Sequence, residues 1–138
     1  MRIISTKKTK KVFLGGTCND STWRNRIIPM LEIDYFNPVV KDWTPECQAE
    51  EIKQRETCDI VLYCITPLMV GTYSIAEAID DSNKRPEKTV LVCLKEDDGK
   101  SFDKTQWKSL LSVMKMAENN NANVFSDIES AVTFLNKD

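Results

Sequence analysis

Short runs of consecutive apolar residues alternate along this chain with longer stretches in which polar and apolar positions are mixed at helical spacing. Uninterrupted apolar runs of four to eight residues mark strands buried on both faces, and the mixed stretches mark helices that cover them. Read in order, the pattern predicts a strand at 12–14, a helix at 23–31 and a strand at 33–40. A helix begins at Pro45 and runs through Cys58, followed by a strand at 60–65 and a third helix carrying Glu77, which ends among residues 83–87. A strand at 89–94, a charged loop, a helix at 105–119, a short strand at 123–125 and a last helix over 129–137 complete it.

Punctuation residues support these limits. Asp20 or Ser21 is an expected N-cap for the first helix. Pro38 near the end of the second strand implies that its ladder is finishing there. Thr44-Pro45-Glu46 supplies a cap, a proline at the first helical position and an early acid. Ser74 with Glu77, Asp103 with Gln106 and Ser126 with Glu129 each have capping-box spacing. The helix after Pro45 is largely polar, with Cys47, Ile52 and the Arg55 methylenes expected inward and Glu50 and Glu51 expected in solvent.

Strict alternation of strand and helix argues for a parallel sheet with right-handed crossovers. Five strands in 138 residues fit one domain over 1–138, an α/β flavodoxin-like three-layer domain with sheet order 2-1-3-4-5. In that order the crevice opens at the carboxyl ends of the first and third strands. It is therefore expected between the Gly15-Gly16-Thr17-Cys18-Asn19 turn and the loop from Thr66 to Ser74, with the turn after the second strand nearby.

Composition narrows the chemistry. A net charge of −2 gives no electrostatic case for nucleic acid, and the longest apolar run is far short of a membrane span. The N-terminal stretch lacks the apolar core of a secretory signal, so a cytoplasmic location is expected, and the lysines among residues 7–11 read as a solvated lead-in to the first strand or, less simply, as a phosphate-binding arm. Five cysteines without CxxC spacing point to buried thiols, at Cys64 and Cys93 above all, and to neither a disulfide framework nor a metal site. The chain has no histidine, which removes the usual general base and the Ser/His and Cys/His dyads. No cofactor fingerprint is present, since the Gly-Gly-Thr turn lacks the spacing of a dinucleotide or phosphate loop. That turn is either a plain tight turn or one wall of a sugar pocket, offering amides together with Thr17 and Asn19.

Glu77 carries two readings. Its spacing from Ser74 lets it close a capping box, and its place early in a helix at the strand C-terminal edge lets it act as an ionised nucleophile. Several ordered pieces then resemble the nucleoside 2-deoxyribosyltransferase-like family: Val12 to Gly16, Trp23-Arg24, Asn37-Pro38, Trp43, Gln48 with Glu51, Asp59, and Ser74 to Glu77. The resemblance spans about the first two thirds of the chain. It implies N-glycosidic bond cleavage or exchange, with Glu77 attacking the anomeric carbon and Glu51 contacting the nucleobase. It further implies that Gly15, Gly16 and Thr17 line the sugar, that Asn37 or Trp43 meets the base, and that the protein is a homo-oligomer. Three places depart from the family: Phe13 stands where a first-strand tyrosine orients the nucleophile, Gly71 stands where an aspartate lies near the sugar, and Ala78-Ile79 follow Glu77 where the family usually has a leucine and a glycine. Thr72, Tyr73 and Ser74 are the neighbouring hydroxyls that could stand in.

Other readings share the fold. These are a nucleoside- or nucleotide-binding module without turnover, a TIR-like NAD glycohydrolase that also uses a glutamate, and an FMN electron carrier.

Overall fold

A computed structural model describes residues 8–18 and 20–137, with side chains from Lys10 onward; Lys7 and the expected sugar contact Asn19 lie outside the described residues. The elements are β1 (Lys8–Gly16), α1 (Trp23–Ile27), β2 (Ile33–Phe36), α2 (Pro45–Thr57), β3 (Ile60–Ile65), α3 (Tyr73–Lys84) and β4 (Thr89–Cys93). A small hairpin of β5 (Glu96–Asp97) and β6 (Lys100–Ser101) follows, then α4 (Lys104–Asn119), β7 (Asn123–Phe125) and α5 (Ile128–Leu135). Five strands form one parallel sheet in the order β2-β1-β3-β4-β7, which is the expected 2-1-3-4-5 order of a flavodoxin-like three-layer fold.

Alternation along the central strands divides the core in two. Val12 and Leu14, Ile60, Leu62 and Cys64, and Val90 and Val92 face α1 and α5. Phe13, Val61, Tyr63, Ile65, Leu91 and Cys93 face the other side, where Ala78 of α3 and Leu110 and Ala117 of α4 cover them. Burial lifts the Cys64 thiol well above its ordinary range and pushes Cys93 up to about 12, so both behave as apolar side chains.

Several local expectations are corrected. The first helix stops at Ile27 and continues as a single 3-10 turn, Ile28–Met30, because Pro29 has no amide hydrogen and its ring crowds the preceding turn. Its N-cap is Thr22 rather than Asp20 or Ser21; Thr22 makes no side-chain cap, and its amide and hydroxyl donate instead to Asp98 at 3.2 and 2.7 Å. The second strand ends at Phe36, four residues early, because Pro38 cannot donate and the Val39 amide turns back to Asn37 Oδ1 at 3.1 Å.

The loop after β4 folds into the β5/β6 hairpin, whose turn residues Asp98 and Gly99 both have positive φ, 52° and 75°. That is the backbone a two-residue Asp-Gly hairpin turn demands. Ser126 is not the cap of α5: Asp127 is, accepting from the Ser130 amide at 2.7 Å. α2 starts as expected at Pro45, with Thr44 accepting from the Cys47 amide at 3.2 Å. Its inward positions are Cys47, Glu51, Gln54 and Arg55, while Ile52 is exposed.

The capping box of α4 forms as its spacing implies, with Asp103 Oδ1 accepting from the Gln106 amide at 2.7 Å and Gln106 Oε1 accepting from the Asp103 amide at 3.0 Å. Asp103→Ala is expected to lower stability by about 1 kcal/mol. Urea unfolding should show it as a lower midpoint with an unchanged slope; an unmoved midpoint would mean that solvent replaces the cap.

Candidate active site

The crevice lies where the sheet order reverses, at the carboxyl ends of β1 and β3. Two glycines make it possible. Gly16 has φ +118°, and a Cβ there would stand 2.2 Å from the Cys64 carbonyl oxygen, so the end of β1 lies against β3 too closely for any side chain. At Gly15 a Cβ would meet the Tyr63 ring at 2.9 Å, so its hydrogen side chain leaves room for that buried aromatic.

A cleft of about 350 Å³ runs from Gly15 and Gly16 past Val39 and Trp43 to Glu51, Ser74 and Glu77. A second hollow of about 290 Å³ continues it over Gln48 and Arg55, with Trp43, Glu51, Tyr73 and Glu77 common to both. Thus Gly15, Gly16, Trp43, Glu51, Tyr73, Ser74 and Glu77 come together. Thr17 and Asn37 do not share this cleft. Thr17 is buried, its hydroxyl oxygen taken by the Thr66 amide at 3.0 Å, and it borders a smaller hollow of about 170 Å³ beside Gly71. Asn37 lines an adjoining hollow with Cys18 and Arg24.

Glu77 is not a capping residue. α3 begins at Tyr73 with Thr72 as N-cap, which places Ser74 inside the first turn and Glu77 in the second, and no side chain caps the helix. The expected hold of the helix dipole is accordingly absent, since that field fades beyond the first turn. Burial raises the Glu77 carboxyl above its ordinary range, Arg55 opposes the rise, and the Glu51 and Asp81 carboxylates add to it. The Glu77 side chain is only 14% exposed, and Arg55 Nη1 stands 3.6 Å from Oε2, close enough for Coulomb attraction but too long for a hydrogen bond.

Beneath Glu77 lies a polar cluster that sequence reasoning missed. Asp81 is fully buried and accepts from the Tyr63 hydroxyl at 2.6 Å, from Arg55 Nε and Nη2 at 3.0 and 3.1 Å, and from Arg85 Nε at 2.8 Å. Burial alone would raise this carboxyl, but the donors outweigh it and hold it below the usual range. The Tyr63 phenol is driven upward by burial and by the Asp81 carboxylate. Burial also pulls Arg55 down, and the Asp81, Tyr63 and Glu77 oxygens more than reverse that, so Arg55 stays a cation.

Arg24, given no role by sequence beyond its place beside Trp23, is a buried guanidinium at the cleft. It donates to the carbonyls of Leu14, Gly16 and Thr17 at 3.0, 3.3 and 2.8 Å, while the Trp23 indole also donates to Thr17 O at 2.8 Å. These bonds satisfy the carbonyls freed where β1 stops pairing and fix the loop that forms one cleft wall. Asp59, part of the resemblance, lies at the opposite end of β3, where its carboxylate accepts from the Lys11 amide at 2.9 Å. Its place is structural.

No helix among the described residues is long and apolar enough to cross a membrane, and none of their acidic or cysteine side chains group in a way that could hold a metal ion. No curated protein matches the chain. The sequence profile described as "Nucleoside 2-deoxyribosyltransferase like" matches residues 9–97, a stretch that begins in β1 and ends in β5, and so contains both cleft walls, Glu51 and Glu77. The chain belongs to the nucleoside 2-deoxyribosyltransferase-like family.

Proposed function

We propose that the protein cleaves or exchanges the N-glycosidic bond of a nucleoside or nucleotide, with Glu77 as nucleophile and Glu51 facing the base. The observation that carries this reading is the pair of carboxylates from facing helices lining one cleft at the sheet's switch point, beside exposed Trp43 and Tyr73. An aromatic rim with Val39 and Val40 next to it suits a flat, partly apolar nucleobase. Gly15 and Gly16 form the wall assigned to the sugar.

In the first step a Glu77 oxygen bonds to the anomeric carbon while the carbon–nitrogen bond breaks, its electron pair leaving on the base. The base departs readily only when protonated or strongly hydrogen-bonded, a contact assigned to Glu51. A second base, or water, then attacks the anomeric carbon, its proton passing to the departed base, and releases the Glu77 carboxylate. Because burial raises the Glu77 carboxyl, activity is expected to fall as pH drops through a value above the ordinary glutamate range.

The test is a panel of ribo- and deoxyribonucleosides, their 5′-monophosphates and NAD, with chromatographic detection of free base. Release from at least one substrate is expected, and Glu51→Gln is expected to slow it by about 10²-fold, the usual scale for one acid–base contact. No release from any substrate overturns the reading. A binding module without turnover is the second reading, favoured by Phe13, whose ring packs on Phe36 at 5.9 Å and offers no hydroxyl to Glu77. It would show thermal stabilisation by a nucleoside with no base formed.

A further inference from the structure

The family's first-strand tyrosine has no counterpart at Phe13, yet Glu77 is not without a polar neighbour. Tyr63 on β3, the buried tyrosine beneath it, spends its hydroxyl on Asp81 at 2.6 Å. What reaches Glu77 instead is Arg55, from α2. Its guanidinium is divided: the Nε and Nη2 edge forms a two-point fork on buried Asp81, Nη2 also meets Asp80 at 3.3 Å, and Nη1 is left facing Glu77. A fork fixed at two points cannot swing, so the position of Nη1 is set by Asp81 rather than by Glu77.

We propose that Arg55 is the positioning residue of this site: anchored on Asp81 and on the Tyr63 hydroxyl, to which Nε donates at 2.9 Å, it holds the Glu77 carboxylate in place at the cleft without capping its oxygens. This rests on Glu77 being the nucleophile. The 3.6 Å separation is what the role requires, since attraction at that distance favours the ionised form while both oxygens keep their lone pairs for attack. The balance of charge around Glu77 makes Arg55 decisive. The other titratable or charged groups facing it are Glu51 from α2, Tyr73, Asp80 and Asp81 from α3 and Tyr63 from β3, with Arg24 of α1 across the cleft. Glu51 and Asp81 push Glu77 toward its neutral form, and Arg55 is the cation that opposes them. The same fork also ties α2, which buries no apolar stripe, to α3 and the sheet.

The experiment follows the Glu77 carboxyl directly by carbon-13 NMR titration, assigned by the signal missing in Glu77→Gln, in wild type, Arg55→Gln and Arg55→Lys. Glutamine keeps an amide donor for Asp81 but carries no charge. In folded Arg55→Gln the Glu77 midpoint is expected to move up by about one pH unit or more. The acid limb of kcat/KM should move with it, and kcat should fall about ten- to a hundredfold with KM nearly constant. Arg55→Lys, whose single ammonium settles on Asp81, should show a smaller rise and partial activity. A wild-type midpoint in Arg55→Gln overturns the proposal; if that variant does not fold, an unmoved midpoint in Arg55→Lys overturns it. Failure of the underlying reading looks different, because wild type would then release no base while the NMR midpoints still report on Arg55.

Discussion

Glu77→Gln is expected to lower the rate of base release by at least about 10³-fold, or about 4 kcal/mol of lost transition-state stabilisation at 1.36 kcal/mol per decade. A neutral amide has the shape of the carboxylate but no charge with which to attack carbon, so the loss should appear in kcat. Binding should persist within a fewfold, because Trp43, Tyr73 and the Gly15-Gly16 wall are untouched. The fold should persist as well: Arg55 keeps Asp81 and Asp80 as partners, and the variant no longer has to bury a carboxylate. The sign of the pH effect separates this from a structural lesion. A carboxyl whose folded value lies above its unfolded value binds more protons when folded, so its contribution to stability declines as pH rises from the unfolded value through the folded one. Glu77→Gln should remove that decline, leaving the variant as stable as wild type, or more so, near neutral pH. Retention of more than a tenth of the wild-type rate on the best substrate would exclude Glu77 as nucleophile.

Long-range order was more legible in the sequence than local detail. The sheet order followed from strand–helix alternation, which depends only on apolar runs such as 60–65 and on their spacing. Boundaries failed where one residue has two available partners. Ser74 and Glu77 have capping-box spacing, but that spacing also occurs inside a helix, and Thr72 starts α3 two residues earlier. At the last helix Asp127 competes with Ser126 for the cap and takes it. The hairpin was hidden by charge in a stretch read as loop, although Asp98-Gly99 is a strong short-range hairpin signal.

The site was half legible for the same reason. Glu77, Glu51 and the glycines could be ordered along the chain by resemblance, and the structure brings them to one cleft. The pairing of Arg55 with Asp81, 26 residues apart, could not be read locally, because a helical pattern turns the Arg55 methylenes inward without naming a partner for its guanidinium on another helix. Of the positions of α2 expected inward, Cys47 and Arg55 are so and Ile52 is exposed, because the face that meets buried Asp81 carries Glu51, Gln54 and Arg55 instead.

Asp81 carries the largest expected effect on stability. Asp81→Ala should destabilise the protein by about 3 kcal/mol, the low end of the cost of breaking a buried pair, because Arg55 and Arg85 are 20% and 16% exposed and can turn toward Asp80, Glu56 or water. For a chain of this length that is a fall of about 10 °C in Tm. Much of the cost falls on Tyr63, which is fully buried and would keep a hydroxyl with no carboxylate to receive it. Tyr63→Phe should therefore cost about 1 kcal/mol in wild type but stabilise the Asp81→Ala background, where it removes the orphaned hydroxyl, a coupling that a double-mutant cycle in urea resolves. The pH dependence has the opposite sign to that of Glu77. Asp81 is held below its unfolded value, so its contribution is present above about pH 4 and is lost as pH falls through the folded value. Asp81→Ala should thus be far weaker than wild type at pH 7 and converge toward it in acid. A variant within about 1 kcal/mol of wild type at pH 7 would show that the cluster contributes no net stability and that α2 is held to the sheet by other contacts.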